Sequence, residues 1–85
     1  MIELFEKLAR TELGNGIIVD TAILGIVYET AISHPSFNNG AWIILGRTYD
    51  VDFAKEFHKV ACEAALDERQ MSFTDILIDK EYIRQ

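Results

Sequence analysis

The chain has 85 residues, 49% of them hydrophobic, and a formal net charge of −6. That content excludes a disordered chain, and the length holds one domain over residues 1–85 with a thin core that association would thicken. The acidic balance argues against direct nucleic-acid binding, which needs clustered Lys and Arg, and fits either a solubilising surface or a basic partner.

At the N-terminus, Ile2, Phe5, Leu8, Ala9 and Leu13 fall at helical spacing. Glu3 with Lys7, and Glu6 with Arg10, stand four apart with the acid first, as on an exposed helix face. Gly14-Asn15-Gly16 reads as the stop signal of that helix. An amphipathic helix is therefore predicted over about 2–13. Glu3 and Glu6 also leave no apolar stretch for a signal peptide. No apolar run approaches the roughly 18 residues of a membrane span.

Ile17 to Ser33 is dense in β-branched and aromatic residues, which favours strand. Gly25 near its middle suggests a bulge or a break. The reading is a strand over about 17–24 and a second over about 26–33. In the second, Ile26, Tyr28, Thr30 and Ile32 are set toward the core, and Thr30 there needs a hydrogen-bond partner. His34 to Gly40 is a loop, since Pro35 lacks a donor and Asn38-Asn39-Gly40 tolerates positive φ. The chain returns as a strand over about 41–48, making a hairpin. Trp42 and Ile44 alternate with Ile43 and Leu45, so both faces are apolar. One face is expected under a helix and the other against a partner.

Asp50 is a helix N-cap, and Asp52 falls in a first turn where the helix dipole favours acids. A helix is predicted over about 51–66. Val51, Ala54, His58, Ala61, Cys62 and Ala65 make one apolar stripe; Phe53, Phe57, Val60 and Ala64 make a second beside it. Residues 71–85 read either as a short helix capped by Ser72 or Thr74, or as an edge strand from Phe73 to Ile78; the helix is preferred. Together these elements predict an α+β fold: a small antiparallel sheet with the 51–66 helix packed on it and the N-terminal helix nearby.

Catalytic and metal-binding spacings are missing from the chain, so no enzyme, metal or cofactor is expected. Cys62 is the single cysteine, which points to a reducing setting and a small buried hydrophobe. His58 lies on the helix stripe and reads as a core residue that needs a partner across the sheet, with Glu29 as the candidate. Arg47 stands just before the helix N-terminus. It reads either as an anion ligand beside free helix amides or as an ion pair to Asp50 and Asp52, the pair being preferred. Glu29, Thr30, Arg47 and His58 are thus the candidate ligand or polar-core residues. Trp42, Ile43, Leu45, Phe53 and Phe57 are the candidate interface.

The order of these blocks resembles a family of small proteins encoded by tailed bacteriophages and prophages. Its pattern runs approximately Val-Ser-Thr-Val-x-Leu-Gly, then Phe-Glu-Thr-Met-Val-Phe, then Arg-Tyr-Ser-Thr-x-Glu-Glu-Ala-x-x-Gly-His. Here the blocks are Val19 to Gly25, Tyr28 to Ser33 and Arg47 to Ala54, with His58 four residues beyond. The turn after Gly25 is shorter than in the pattern, the third-block tyrosine is displaced by one position, and Phe57 replaces the glycine before the histidine. The resemblance covers about half the chain. It implies a phage-encoded accessory protein and brings no activity with it.

The expectation is a non-enzymatic binding protein in the host bacterial cytoplasm, inhibiting a host antiviral process by occupying a host protein, and self-associating as a homodimer or larger. One alternative is an oligomeric binder of a small anionic ligand such as a nucleotide, lined by Arg47, the helix N-terminus and His58. Another is a virion-associated protein.

Overall fold

Val19, Thr21 and Ile23 alternate with Ile18, Asp20 and Ala22, and this period of two lays down a central strand. The computed structural model, which describes residues 5–85, places that strand second in an antiparallel sheet of four. The sheet runs β1 (Phe5–Gly14), β2 (Ile17–Leu24), β3 (Val27–Ser33) and β4 (Ile43–Thr48), each paired with its neighbour in the chain.

The helix expected over about 2–13 is instead β1, and residues 2–4 of that expectation lie outside the described residues. Two features explain the difference. Asn15 and Gly16 both take positive φ, 54° and 79°, as the two-residue type I′ hairpin turn requires. The supposed helix stop is therefore the turn into β2. Within β1, Lys7 faces Ala22 and Ala9 faces Thr21, leaving Leu8 as an extra residue in a bulge. The bulge breaks the two-residue period and leaves apolar spacings that imitate a helix.

Gly25, at φ 66°, opens a second tight turn in which Leu24 faces Val27. Ile26 lies exposed in this turn and takes no place in the core. The next connection holds Asn38, Asn39 and Gly40 at positive φ, as their residue types allow.

The helix α1 (Val51–Leu66) matches its predicted bounds. Asp50 Oδ1 accepts from the amides of Asp52 at 2.8 Å and Phe53 at 3.1 Å, a cap worth about 1 kcal/mol. Ala54, His58, Ala61 and Ala65 are buried against the sheet. Val19, Ile32, Phe37 and Ile43 are fully enclosed beneath them, with Phe73 completing the cluster.

The helix preferred for residues 71–85 is instead a hairpin, β5 (Ser72–Asp75) and β6 (Lys80–Ile83). Tertiary contacts override the local propensity. Asp75 is buried and accepts from Leu77 N and Ile78 N, which fixes the turn. It also accepts from Ile44 N at 3.1 Å, while Ile76 N donates to Ile44 O. The hairpin is thereby fastened to the edge of β4. At its other end, Phe73 packs edge-on to Phe37, and the Arg84 guanidinium lies 4.9 Å over the Phe37 ring.

Candidate functional site

One sheet face lies under α1; the other is left uncovered by the described residues and carries two adjacent cross-strand rows. Arg10, Asp20, Ala31 and Ile44 face one another from β1 to β4. Lys7, Ala22, Glu29 and Arg47 form the next row. Lys7 and Arg10 are three apart, so a regular strand would send them to opposite faces. The Leu8 bulge corrects the phase and delivers both cations to the same carboxylate. Asp20 is buried, accepts from Arg10 Nε at 2.8 Å and pairs with Lys7. Arg47 Nε makes an ion pair with Glu29 Oε2 at 3.1 Å.

These rows enclose a depression of about 330 Å³ lined by Lys7, Arg10, Asp20, Glu29 and Trp42 over Ala22, Ala31 and Ile44. The dip exists because the two central strands carry alanine where the outer strands carry long side chains. Trp42 forms a wall, and the Arg10 guanidinium lies 5.7 Å from its ring centroid. Trp42 is 43% exposed, so the aromatic surface remains accessible.

His58 belongs to the opposite face. Its Nδ1 lies 2.8 Å from Thr21 Oγ1 and its Nε2 lies 2.9 Å from Thr11 Oγ1. Thr21 Oγ1 in turn lies 2.8 Å from Thr30 Oγ1. The chain of hydroxyls satisfies both ring nitrogens of a neutral imidazole, and no buried side-chain polar atom among the described residues lacks a partner. Burial holds the His58 pKa below its ordinary value, with Asp20 opposing weakly.

Glu29 therefore does not meet His58. It neighbours Thr30 in sequence and points to the other side of the sheet, with Arg47 as its partner. The expected Arg47 pairing with Asp50 and Asp52 is replaced by this Glu29 pair, since Asp50 is committed to the helix amides. The four candidate polar residues thus divide: Thr30 and His58 organise the core, and Glu29 and Arg47 line the uncovered face.

The candidate interface residues divide as well. Ile43 is fully buried beneath α1 and belongs to the core, because its position in β4 faces Ile32. Trp42 stands on the uncovered face. Leu45, Phe53 and Phe57 share a flank between α1 and the β4–β5 edge. There Leu45, Phe57, Val60, Ala64, Phe73 and Ile76 line an apolar groove of about 280 Å³. Phe53 stacks on Phe57 with ring centroids 6.1 Å apart and is 57% exposed. Val60 is 50% exposed; Ile76 lines the groove, and Leu77 and Ile78 after it are exposed in the β5–β6 turn.

Lys7, Arg10, Asp20, Thr11 and Thr21 are absent from the sequence-derived candidates. Asp20, an acid inside an otherwise apolar strand, is the signal that marks the site. Helical spacing sets the first two on a helix surface, which hides their shared face. Cys62 is half-buried and its thiol is pushed above its ordinary pKa by burial, which favours the unreactive protonated form. Among the described residues, no three His, Cys, Asp or Glu side chains converge as a metal site, and no helix is long and apolar enough to cross a membrane. Comparisons with protein-family models, curated proteins and solved structures return no match.

Proposed function

We propose that this chain is a non-enzymatic binding protein that acts by covering a surface of another protein with its α1 flank. The observation that carries the reading is the apolar patch from Phe53 through Phe57 and Val60 to Ile76, with Leu77 and Ile78 exposed in the turn that follows. Large exposed apolar patches on small soluble domains mark interaction sites. Two aromatic rings stacked beside a groove supply anchors of the kind that concentrate binding energy.

The chemistry of the partner follows from charge. The groove is lined by apolar side chains and Thr74, while the chain as a whole carries −6. A partner presenting an apolar protrusion ringed by Lys and Arg satisfies both. The likeness of the Val19–Gly25, Tyr28–Ser33 and Arg47–His58 blocks to phage-encoded proteins makes that partner a host protein, within an antiviral process of the bacterial cytoplasm.

The test has two parts. Light scattering of the purified protein at micromolar concentration decides whether the flank is open to a partner: a dimer that Val60→Asp leaves intact pairs through another surface and keeps the reading, whereas a stable dimer disrupted by Val60→Asp would assign the flank to a second copy and overturn it. A host protein retrieved on the tagged chain is then purified and titrated. Its affinity is expected to fall at least about tenfold, or about 1.4 kcal/mol, with Phe53→Asp and with Val60→Asp. Unchanged affinity in both variants would also overturn it.

A further inference from the structure

We propose that the sheet face opposite α1 is the contact between two copies of this chain, paired back to back about a twofold axis. The contact is separate from the α1 flank, since the depression shares no lining residue with the apolar groove. It leaves both flanks of the pair pointing outward, so the assembly would present two of them at once.

The first support is relief. Trp42 stands just before β4 on one side of the sheet, and Arg10 lies in β1 on the other. The Arg10 guanidinium is nonetheless 5.7 Å from the Trp42 ring centroid, so the two side chains reach toward each other across β2 and β3. They form a ridge beside a hollow floored by Ala22 and Ala31. A twofold contact joins one patch to itself, so every protrusion must find its recess on that same patch. Ridge and hollow lie side by side here. A twofold axis in the plane of the face, running between them, sets each Trp42 into the hollow of the other copy. At about 330 Å³ the hollow has room for an indole.

The second is charge. Among the described residues, this face of the four strands carries Lys7, Arg10 and Arg47 against Glu12, Asp20 and Glu29. These sum to zero, so the −6 of the chain is carried elsewhere. Asp20 is paired with Lys7 and Arg10, and Glu29 with Arg47, within the one copy. Covering charges that are already paired avoids leaving a lone buried ion, which is the costly case. Glu12 falls toward the β1–β2 turn, at the rim, where charge stays in water. A basic foreign protein would be drawn to the acidic remainder of the surface. A body as acidic as this one can approach only where the surface is neutral. A second copy is such a body.

The third is area. Four strands about 4.8 Å apart, each about seven residues long at about 3.3 Å per residue, make a face of roughly 19 by 23 Å. Two such faces offer roughly 900 Å² in projection and more as accessible surface, which brings the pair to the lower end of specific interfaces at about 1,200 Å². The apolar share is supplied by Trp42 and Leu24, both more than two-fifths exposed, with Ile18, Val27 and Ile44 between them. A dimer of this size is a dissociable one.

Sedimentation equilibrium of the full chain between about 1 μM and about 1 mM tests the pairing, with two chains expected at the upper end and one at the lower. Trp42 is the only tryptophan and reports on the contact directly. Its emission should move to shorter wavelength over the same range of concentration as the ring leaves water. Trp42→Glu and Ala31→Lys, both on the outward face, should each raise the dissociation constant at least about tenfold while circular dichroism keeps the native spectrum. Val60→Asp should leave it unchanged, so failure here is distinguishable from failure at the α1 flank. A single-chain mass throughout, Trp42 emission unmoved by concentration, a dimer that survives both folded face variants, or one lost with Val60→Asp would each overturn the proposal.

Discussion

The Oγ1 of Thr21 lies 2.8 Å from Nδ1 of His58, so a hydroxyl at the centre of the sheet fixes the one imidazole that α1 turns inward. Both groups are buried, and the same hydroxyl also satisfies Thr30. Thr21→Val keeps the shape and removes the oxygen. It leaves Nδ1 and the Thr30 hydroxyl without their shared partner, at an expected cost of about 1–3 kcal/mol. Urea unfolding followed by circular dichroism should show a lower midpoint with unchanged slope.

Protonation of His58 works against the fold. Burial lowers its folded pKa, so between about 6.5 and that lower value the unfolded chain binds more protons than the native one. Stability is full above the unfolded value and falls as the pH drops through this window. His34 acts in the same direction, lowered by burial and by Arg84. Thermal unfolding at pH 7.5 and at pH 5.5 should therefore show a lower midpoint in acid. His58→Gln should shrink that difference without abolishing it, because His34 remains. An unchanged difference would refute the role given to His58.

Gly46 makes room for Phe57. A Cβ at position 46 would lie 2.6 Å from Phe57 Cε2 and 2.9 Å from Cζ, so Gly46→Ala must push the ring outward. Overpacking of this kind costs about 1–3 kcal/mol. Since Phe57 is half-buried, its displacement should also enlarge the exposed flank. The double variant with Phe57→Ala should cost less than the sum of the single changes. Strict additivity in denaturant midpoints would show that the two positions do not compete.

Asp75 fastens the C-terminal hairpin to β4 through the Ile44 amide and orders its own turn through Leu77 and Ile78. Asp75→Ala is expected to release residues 72–83 at a cost of about 1–3 kcal/mol, with the four-stranded sheet retained. Hydrogen exchange should quicken at Ile44 and Ile76 and stay slow in β2 and β3. Uniform acceleration across the protein would contradict this separation.

Where local chemistry and tertiary demand agree, the sequence reads directly. Asp50 caps α1, the stripe of Ala54, His58, Ala61 and Ala65 finds the sheet, and Thr30 has the hydrogen-bond partner its inward position requires. The first strand was obscured by its own bulge. Lys7 and Arg10 lie at a spacing that suits a helix surface, and only the extra residue Leu8 lets a strand carry them on one face. Asn15-Gly16 was the available correction, being the strongest short hairpin signal in the chain. The last hairpin was illegible for a different reason, since its attachment depends on an Asp75–Ile44 bond 31 residues apart. The candidate site divided between two faces because Glu29 and Thr30 are consecutive, and no pairing of Glu29 with His58 survives strand alternation.

The bulge at Leu8 has one more consequence. β1 is the outermost strand of its sheet, and β4 on the other side is partly guarded by Asp75 and Ile76. A long regular outer strand is a template on which foreign chains extend a sheet into aggregates. β1 breaks its own ladder at Leu8 and again between Glu12 and Gly14, and it carries exposed Lys7, Arg10 and Glu12. Such bends and charges make it a poor template. The irregularity that gathers two cations over Asp20 thus also protects a protein with a bare sheet face from fibre-like growth along its open border.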